Sequence, residues 1–280
     1  MPEKTEELDG ANDPRSFWHT EVKRLREKRG WLQSRLGKEI NVSEDYVSRL
    51  ERGVRPPTQE LSVRLDQVFD TDGHFVRLFE LAKKSTGAIP DFFAWVAEME
   101  KSAQRIEEYS PSLVPGLLQT ADYAREVFKA VWPYHPPEKI QQLVDARLER
   151  AEILTAQGGP EVWIILEEAL LHTRLPAGIM ASQLEHIVEL IEGRKIVLQL
   201  LPQDIGMHAL KTGQLRIMTL EDGAQIAYTE GPHSGSVLDT AGEVAACRRS
   251  YDLVRATALP QADSLAWVKA ALEEHKKHDQ

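Results

Sequence analysis

The sequence predicts a mainly α chain in two parts, an N-terminal set of four to five short helices followed by an α+β domain with a small sheet. Three observations carry this expectation. Apolar residues recur at helical spacing from Trp18 to Leu81. The stretch KKSTGAIP, Lys83 to Pro90, then loses that periodicity and gains Gly and Pro. Beyond it, four short Val- and Ile-rich segments lie among further helical stretches. The expected boundaries are a disordered tail over 1–14, a helical domain over 15–83, a linker over 84–91 and an α+β domain over 92–276.

Taken in order, residues 1–14 are acidic and poor in apolar side chains, which is the composition of a mobile tail. Trp18, Val22 and Leu25 mark a first helix with a basic outer side, stopped at Gly30. The stretch from Leu32 to Gly53, LQSRLGKEINVSEDYVSRLERG, then reads as two short helices around a tight turn. Leu36 and Ile40 give the first an inward face, and Val47 and Leu50 give the second its own. Asn41 suits the left-handed backbone of the turn, Ser43 can cap the second helix, and Gly37 permits close approach. Pro56 and Pro57 end the pair. Thr58 then starts a helix with Leu61, Leu65, Val68 and Phe69 inward.

In the second part, Trp95, Met99, Ala103 and Ile106 predict one amphipathic helix from Phe92 to Tyr109. Thr120 or Asp122 can cap the helix that carries Tyr123 and Val127. The expected strands are Val162–Leu166, Lys195–Leu201, Gln214–Leu220 and Gln225–Tyr228, with Glu221-Asp222-Gly223 as a hairpin turn. Helices over 241–258 and 263–276, the latter capped by Asp263 or Ser264, close the domain.

Composition narrows the function. At 280 residues, 42% hydrophobic and 28% charged, the chain has enough apolar material for two domains. It contains no apolar run of membrane-spanning length, and its first residues lack the features of a signal peptide, so no membrane role and a cytoplasmic, nucleoid-associated location are expected. The single Cys247 excludes an internal disulfide and reads as a structural buried thiol. The net charge of −10 divides unevenly. Residues 15–64 hold 12 Lys or Arg against 7 Asp or Glu, leaving 22 against 37 elsewhere. A basic module on an acidic body points to a local polyanion site.

Within that module Lys23, Arg24, Lys28, Arg35 and Lys38 are candidates for phosphate contacts that are blind to sequence. Arg49 can donate two hydrogen bonds to guanine in the major groove, whereas Glu44 and Asp45 can accept only from exocyclic amines and suit the N-terminus of a helix. The sequence LREKRGWLQSRLGKEINVSEDYVSRLERGVRPP resembles the xenobiotic-response-element family of lambda-repressor-like DNA-binding domains, over roughly residues 15–80. The resemblance implies that Gln33 contacts a phosphate and braces the recognition helix. It further implies that Glu44, Asp45, Ser48 and Arg49 face bases, with Arg52 and Arg55 nearer the backbone. Leu32 departs from the family, which has a capping Ser or Thr there.

A second resemblance begins at YSPSLVPGLLQTADYAR, Tyr109 to Arg125, and runs to about residue 270. It is to the C-terminal domain of actinobacterial antitoxin-like transcriptional regulators. Arg147 and Arg150, the corner Glu167-Glu168-Ala169-Leu170, Gln183-Leu184, Leu201-Pro202, Gly206-Met207-His208 and Tyr228-Thr229-Glu230 continue it in order. This likeness implies a small acidic or regulatory protein, encoded nearby, as partner.

Glu167, Glu168, His172, His208, Glu230 and His233 are the residues that could serve acid–base or metal chemistry, but they match no hydrolase, phosphate-binding or dinucleotide motif. No enzyme activity, cofactor or metal is expected. Glu167 is expected to pair with Arg147 or Arg150. The function that emerges is a repressor that binds double-stranded DNA as a homodimer, its C-terminal domain dimerising and holding a protein partner. The alternative is a small-molecule sensor. The residues considered for a partner or ligand pocket are Leu117, Gln119, Tyr123, Trp163, Glu168, Tyr228 and Glu230. A hydrolytic enzyme fused to a DNA-binding domain is the remote alternative.

Overall fold

The computed structural model describes residues 14–278 apart from Val54, Pro56, residues 86–90, Asp222, Pro232 and His233. The predicted tail to residue 13 and the middle of the predicted linker lie outside the described residues. The chain divides into two compact units, Met1–Trp95 and Val96–Gln280.

The first unit contains α1 (Pro14–Lys28), α2 (Gln33–Glu39), α3 (Glu44–Glu51), α4 (Gln59–Phe69) and α5 (His74–Ser85). Their inward stripes meet in one core of Trp18, Val22, Leu36, Ile40, Val47, Leu50, Leu61, Leu65, Phe69, Phe75 and Leu78. Each such aliphatic or aromatic side chain contributes about 1.5–3 kcal/mol by leaving water. The turn between α2 and α3 follows the expected chemistry: Asn41 has φ 57°, and the Ser43 hydroxyl accepts the Tyr46 amide at 3.1 Å. At Gly37 a Cβ would stand 2.7 Å from the Val42 carbonyl oxygen, so only glycine lets α2 approach this turn. Leu32 offers α2 no side-chain cap. Asp66, buried on α4, accepts the Phe75 and Val76 amides at 2.9 and 3.0 Å and so fastens the N-terminus of α5.

The second unit holds a six-stranded mixed sheet in the order β3-β2-β1-β4-β5-β6. Its strands are β1 (Ala103–Ser110), β2 (Glu161–Glu167), β3 (Val197–Leu201), β4 (Gln214–Leu220), β5 (Gln225–Gly231) and β6 (Ser234–Leu238). β1, β2 and β3 are parallel, and β4, β5 and β6 continue antiparallel from β1. Between them run α7 (Ala121–Val131), α8 (Pro137–Ala151) and α9 (Ile179–Glu192), and after them α10 (Ala241–Thr257) and α11 (Gln261–His278). α10 packs on β3, β4 and β5, while α11 lies against α9 and β3.

The expected helix from Phe92 to Tyr109 is corrected. α6 (Asp91–Lys101) ends early, and Ala103–Ser110 is β1, at the centre of the sheet. The reason is visible in its glutamates. Glu107 and Glu108 point to opposite faces of the sheet, and each is buried against arginine from a distant part of the chain. Arg248 of α10 donates to both Glu107 oxygens, and Arg216 of β4 donates to Glu108 Oε2 from Nε at 2.9 Å and Nη2 at 2.6 Å. Locally the segment reads as charged helix; its partners make it a strand.

Two smaller expectations also change. Ser264 is not a cap: it lies inside α11 and its hydroxyl accepts the Leu200 amide at 3.0 Å, tying α11 to β3. β6 carries no strand pattern strong enough to foresee; pairing with β5 creates it.

Candidate functional site

On α3, Val47 and Leu50 face the core, which leaves Glu44, Asp45 and Arg52 exposed and Ser48 half-buried on the outer side. Glu44 and Asp45 occupy the first turn, where carboxylates favour the helix dipole. Arg49 is paired with Asp45, one turn before it, and only 13% of its side chain is exposed. Arg55 lies over the Tyr46 ring, its guanidinium carbon 4.4 Å from the ring centre. The two residues considered for base and backbone contact are therefore held against the domain, and Asp45 competes with DNA for Arg49.

The end of α3 is locked from inside. Glu51, with 3% of its side chain exposed, accepts Arg26 Nε and Nη2 from α1 and Gln33 Nε2 from α2, the last at 2.9 Å. Arg26 Nη1 also donates to the Trp31 carbonyl at 2.8 Å. One carboxylate thus joins three helices, and it orients Gln33 at the start of α2. Sequence reasoning missed Arg26 and Glu51, whose pairing across 25 residues leaves no local signal.

The basic residues divide into two groups. Lys23, Lys28 and Lys38 are exposed and form no ion pair among the described residues. Arg24 is bound by Glu21 at 2.6 Å and Arg35 by Glu39 at 2.7 Å, so each brings a carboxylate to any phosphate it meets. Arg29 instead donates to the Val68 and Phe69 carbonyls, both at 2.7 Å, and caps α4.

In the second unit, the PGLLQT stretch is pinned by its own polar groups. Gln119 Nε2 donates to the Val114 carbonyl at 2.7 Å, while Gln119 Oε1 accepts Arg147 Nη1 at 2.8 Å. Gln183 of α9 accepts the Thr120 amide at 2.8 Å and donates to the Leu118 carbonyl at 2.6 Å. Thr120 supplies the α7 cap. Gly116 lets the Arg147 guanidinium lie close against this turn, since a Cβ there would stand 2.8 Å from Arg147 Nη1.

The expected pair between Glu167 and Arg147 or Arg150 is also corrected. Glu167 closes β2 and accepts, on one oxygen, Tyr109 Oη at 2.7 Å and Lys211 Nζ at 3.0 Å, with His208 Nε2 also 3.0 Å away. Burial pushes its carboxyl up, but the hydrogen bonds from Tyr109, Lys211 and His208 outweigh this and hold it below its ordinary value. Arg150 goes to Glu100 at 2.8 Å instead. Arg216 also reaches Glu100, so Glu100, Glu108, Arg150 and Arg216 form one buried network.

A cavity of about 440 Å³ opens between the loop before β4, the end of β5 and α10. Its walls include Thr212, Gln214, Thr229, Glu230, Cys247 and Ser250. Of the seven residues considered for a pocket, Glu230 alone lines it. Leu117, Tyr123 and Tyr228 are buried in the core, and Gln119 is buried in the hydrogen bonds just described. Trp163 is half-buried and donates to Gln199 at 2.9 Å, and Glu168 accepts the Gln203 amide at 2.9 Å. Cys247 is half-buried at the cavity wall rather than enclosed. His172 is exposed beyond the sheet, and His233 lies outside the described residues. No group of three metal-binding side chains occurs among the described residues, and none of their helices is long and apolar enough to cross a membrane.

Comparison with known families fits both units. Residues 93–270, more than half of the chain, match a domain of unknown function, DUF5753. The chain belongs to the DUF5753 family. Residues 22–75, ahead of the DUF5753 domain, match a helix-turn-helix domain of the xenobiotic-response-element, lambda-repressor-like type. A helix-turn-helix joined to a DUF5753 domain makes this a DNA-binding transcription regulator. No curated protein and no solved structure matches the chain.

Proposed function

We propose that this regulator is an antitoxin-like repressor that binds an imperfect inverted repeat as a homodimer and holds a small protein partner on its DUF5753 domain. The observation that carries the reading is α3. Its outer side is polar and uncovered at Glu44, Asp45 and Arg52, while Glu51 fastens its end to α1 and α2. A rigid helix with an exposed polar face is what major-groove reading demands. Ser48 and Arg49 read bases, Gln33 positions the helix on a phosphate, and Arg52 and Arg55 approach the backbone. Lys23, Lys28 and Lys38 supply the salt-dependent part of affinity, with Arg24 and Arg35 as weaker contributors because Glu21 and Glu39 neutralise them.

Two-fold symmetry would place two recognition helices one helical turn apart on the duplex. In this reading the DUF5753 domain acts as a receiver for the partner. Partner binding would control DNA affinity by preferring one arrangement of the two reading heads. Co-expression with the products of neighbouring reading frames, followed by size exclusion and footprinting, tests the reading. A stable complex whose formation changes operator affinity is expected. A partner-free dimer with unaltered binding in the presence of every neighbouring product would sink the antitoxin-like part. A second reading, a small-molecule sensor, draws support from the cavity beside β5.

A further inference from the structure

The two edges of the sheet are finished differently. At the β3 edge the Leu200 amide donates to Ser264 Oγ at 3.0 Å, and the Leu200 carbonyl accepts the Leu259 amide at 2.8 Å, so α11 and the turn before it close that side. The β6 edge has no such cover. Leu220 donates to the residue opposite it, Ala224, at 2.9 Å, which fixes the alternation of the ladder. Ile226, Tyr228 and Glu230 bond to β4, and Ala227, Thr229 and Gly231 turn to β6. Their partners Leu238, Ser236 and Ser234 point their backbone groups back into the sheet, so the amides and carbonyls of Gly235 and Val237 point outward. Among the described residues nothing bonds to these outward groups.

An open edge is a template for another strand, and soluble proteins ordinarily blunt it with lysine, proline or a bulge. β6, SGSVL, has no charge, no proline and no break in its register with β5. The segment is instead complementary to itself. Two copies laid antiparallel about an axis through Ser236 bring Gly235 opposite Val237 of the second copy, and every outward amide and carbonyl finds a partner. A register centred on Gly235 or Val237 leaves half of them open. The residue on the axis faces its own copy and must be small and uncharged, as the exposed Ser236 is. Ser236 also lines the cavity of about 440 Å³ on the α10 face, together with Thr229, its partner in β5. Pairing about Ser236 sets two such cavities side by side across the axis, and their rims enlarge a contact that backbone bonds alone would leave small.

We propose that β6 is the dimerisation edge of the DUF5753 domain, pairing antiparallel with β6 of a second copy about Ser236 and joining two six-stranded sheets into one. The inference deepens the homodimer reading and rests on it, since it names the surface through which two copies meet.

Sedimentation equilibrium of the chain over about 1–200 µM, alone and bound to DNA, tests both ideas. The parent is expected to dimerise. Ser236→Lys and Ser236→Glu each set like charges face to face on the axis and should weaken the dimer at least about fivefold, while an equimolar mixture of the two should recover it as a heterodimer. Both changes are at an exposed position, so both variants should keep the parent's circular dichroism and melting temperature. The register has its own check once the single native cysteine is removed by Cys247→Ala. In that background Ser236→Cys should form an intermolecular disulfide under mild oxidation, because directly opposed residues of a non-hydrogen-bonded pair lie about 4.5 Å apart at Cα. Leu238→Cys should stay reduced, since it faces position 234 of the second copy rather than itself.

A chain that stays monomeric, alone and on DNA, would remove the homodimer and this interface together. A dimer untouched by the charge variants, a loss that their mixture fails to reverse, or no cross-link through Ser236→Cys would keep the homodimer and remove β6 from it.

Discussion

The two units bury charge in different ways. In the helix-turn-helix unit the buried carboxylates have mostly near neighbours in the chain: Asp66 accepts the Phe75 and Val76 amides and Glu21 pairs with Arg24, while Glu51 gathers Arg26 and Gln33 at the edge of the core. In the DUF5753 unit three buried carboxylates, Glu100, Glu107 and Glu108, sit on or beside the central strand, held by Arg150, Arg216, Arg248 and Arg255. The first unit is specified by periodicity and caps, with ionic contacts added at the functional edge. The second is specified by pairs that must find one another across more than 100 residues. Where local pattern suffices the fold is easily read; where distant charges decide, it is not.

The largest effect that would break this comparison is in the sheet. Arg216→Ala leaves Glu108 without a cation and Glu100 with Arg150 alone, and removing one partner from such a buried network costs about 3–5 kcal/mol. Hydrogen exchange should show the loss confined to amides of residues 96–278, with α1–α5 protected as before. Equal loss in both units would erase the distinction. Glu51→Ala leaves Arg26 with only the 3.4 Å contact to the exposed Glu27 carboxylate, with a cost near the lower end of that range, about 3 kcal/mol, and it releases Gln33. Chemical denaturation together with operator binding checks it. Unchanged specificity in the folded variant would remove Glu51 from its positioning role.

On the outer face of α3, Arg49→Ala should weaken specific binding by about 1–3 kcal/mol and relax one base position. Asp45→Ala should do the reverse, releasing Arg49 and removing a carboxylate from the interface. Titration against single-position operator variants distinguishes the two, and the same direction for both would contradict the competition between Asp45 and DNA. The smallest effect is at the ends of helices. Ser43→Ala should cost about 1 kcal/mol, and Leu32→Ser should return up to about 1 kcal/mol to α2, read as opposite shifts in melting temperature.

Acid should also separate two carboxylates within one domain. The folded-state value of Glu167 is depressed, so its contribution to stability is complete above its ordinary value of 4.5 and is lost as pH falls below that. Glu230 is raised, so it disfavours the fold when ionised, and that cost fades as pH falls through its folded-state value. Glu167→Gln should flatten the acid limb of stability between about pH 5 and pH 3, and Glu230→Gln should stabilise the protein at neutral pH. Denaturation midpoints across that range decide.

Much of the first unit was legible from residue spacing. Asn41 with its positive φ, the Ser43 and Thr58 caps, and the stripes Leu36–Ile40 and Val47–Leu50 all follow from rules that act within one or two turns. β1 was not legible, because Gln104, Arg105, Glu107 and Glu108 dilute its apolar alternation and the arginines that neutralise them come from β4 and α10. The grouping of Arg216 with Glu108 and Glu100 was hidden for the same reason. Period-two spacing puts Tyr228 with Glu230 and Gln214 with Arg216, but the face they share has meaning only once β1 lies beside β4. The pair assumed for Glu167 failed because Tyr109, His208 and Lys211 all converge on it from beyond its own strand.

The central claim is that the outer side of α3 reads DNA while the surrounding lysines supply affinity, and footprinting of bound genomic fragments across a salt series tests it most directly. The account predicts protection of an inverted repeat with half-sites one helical turn apart, altered at one position by Arg49→Ala. It also predicts that Lys28→Ala weakens all sequences alike and reduces the salt slope by about one unit. Protection without any preferred sequence, or a Lys28→Ala loss confined to one sequence, would contradict it.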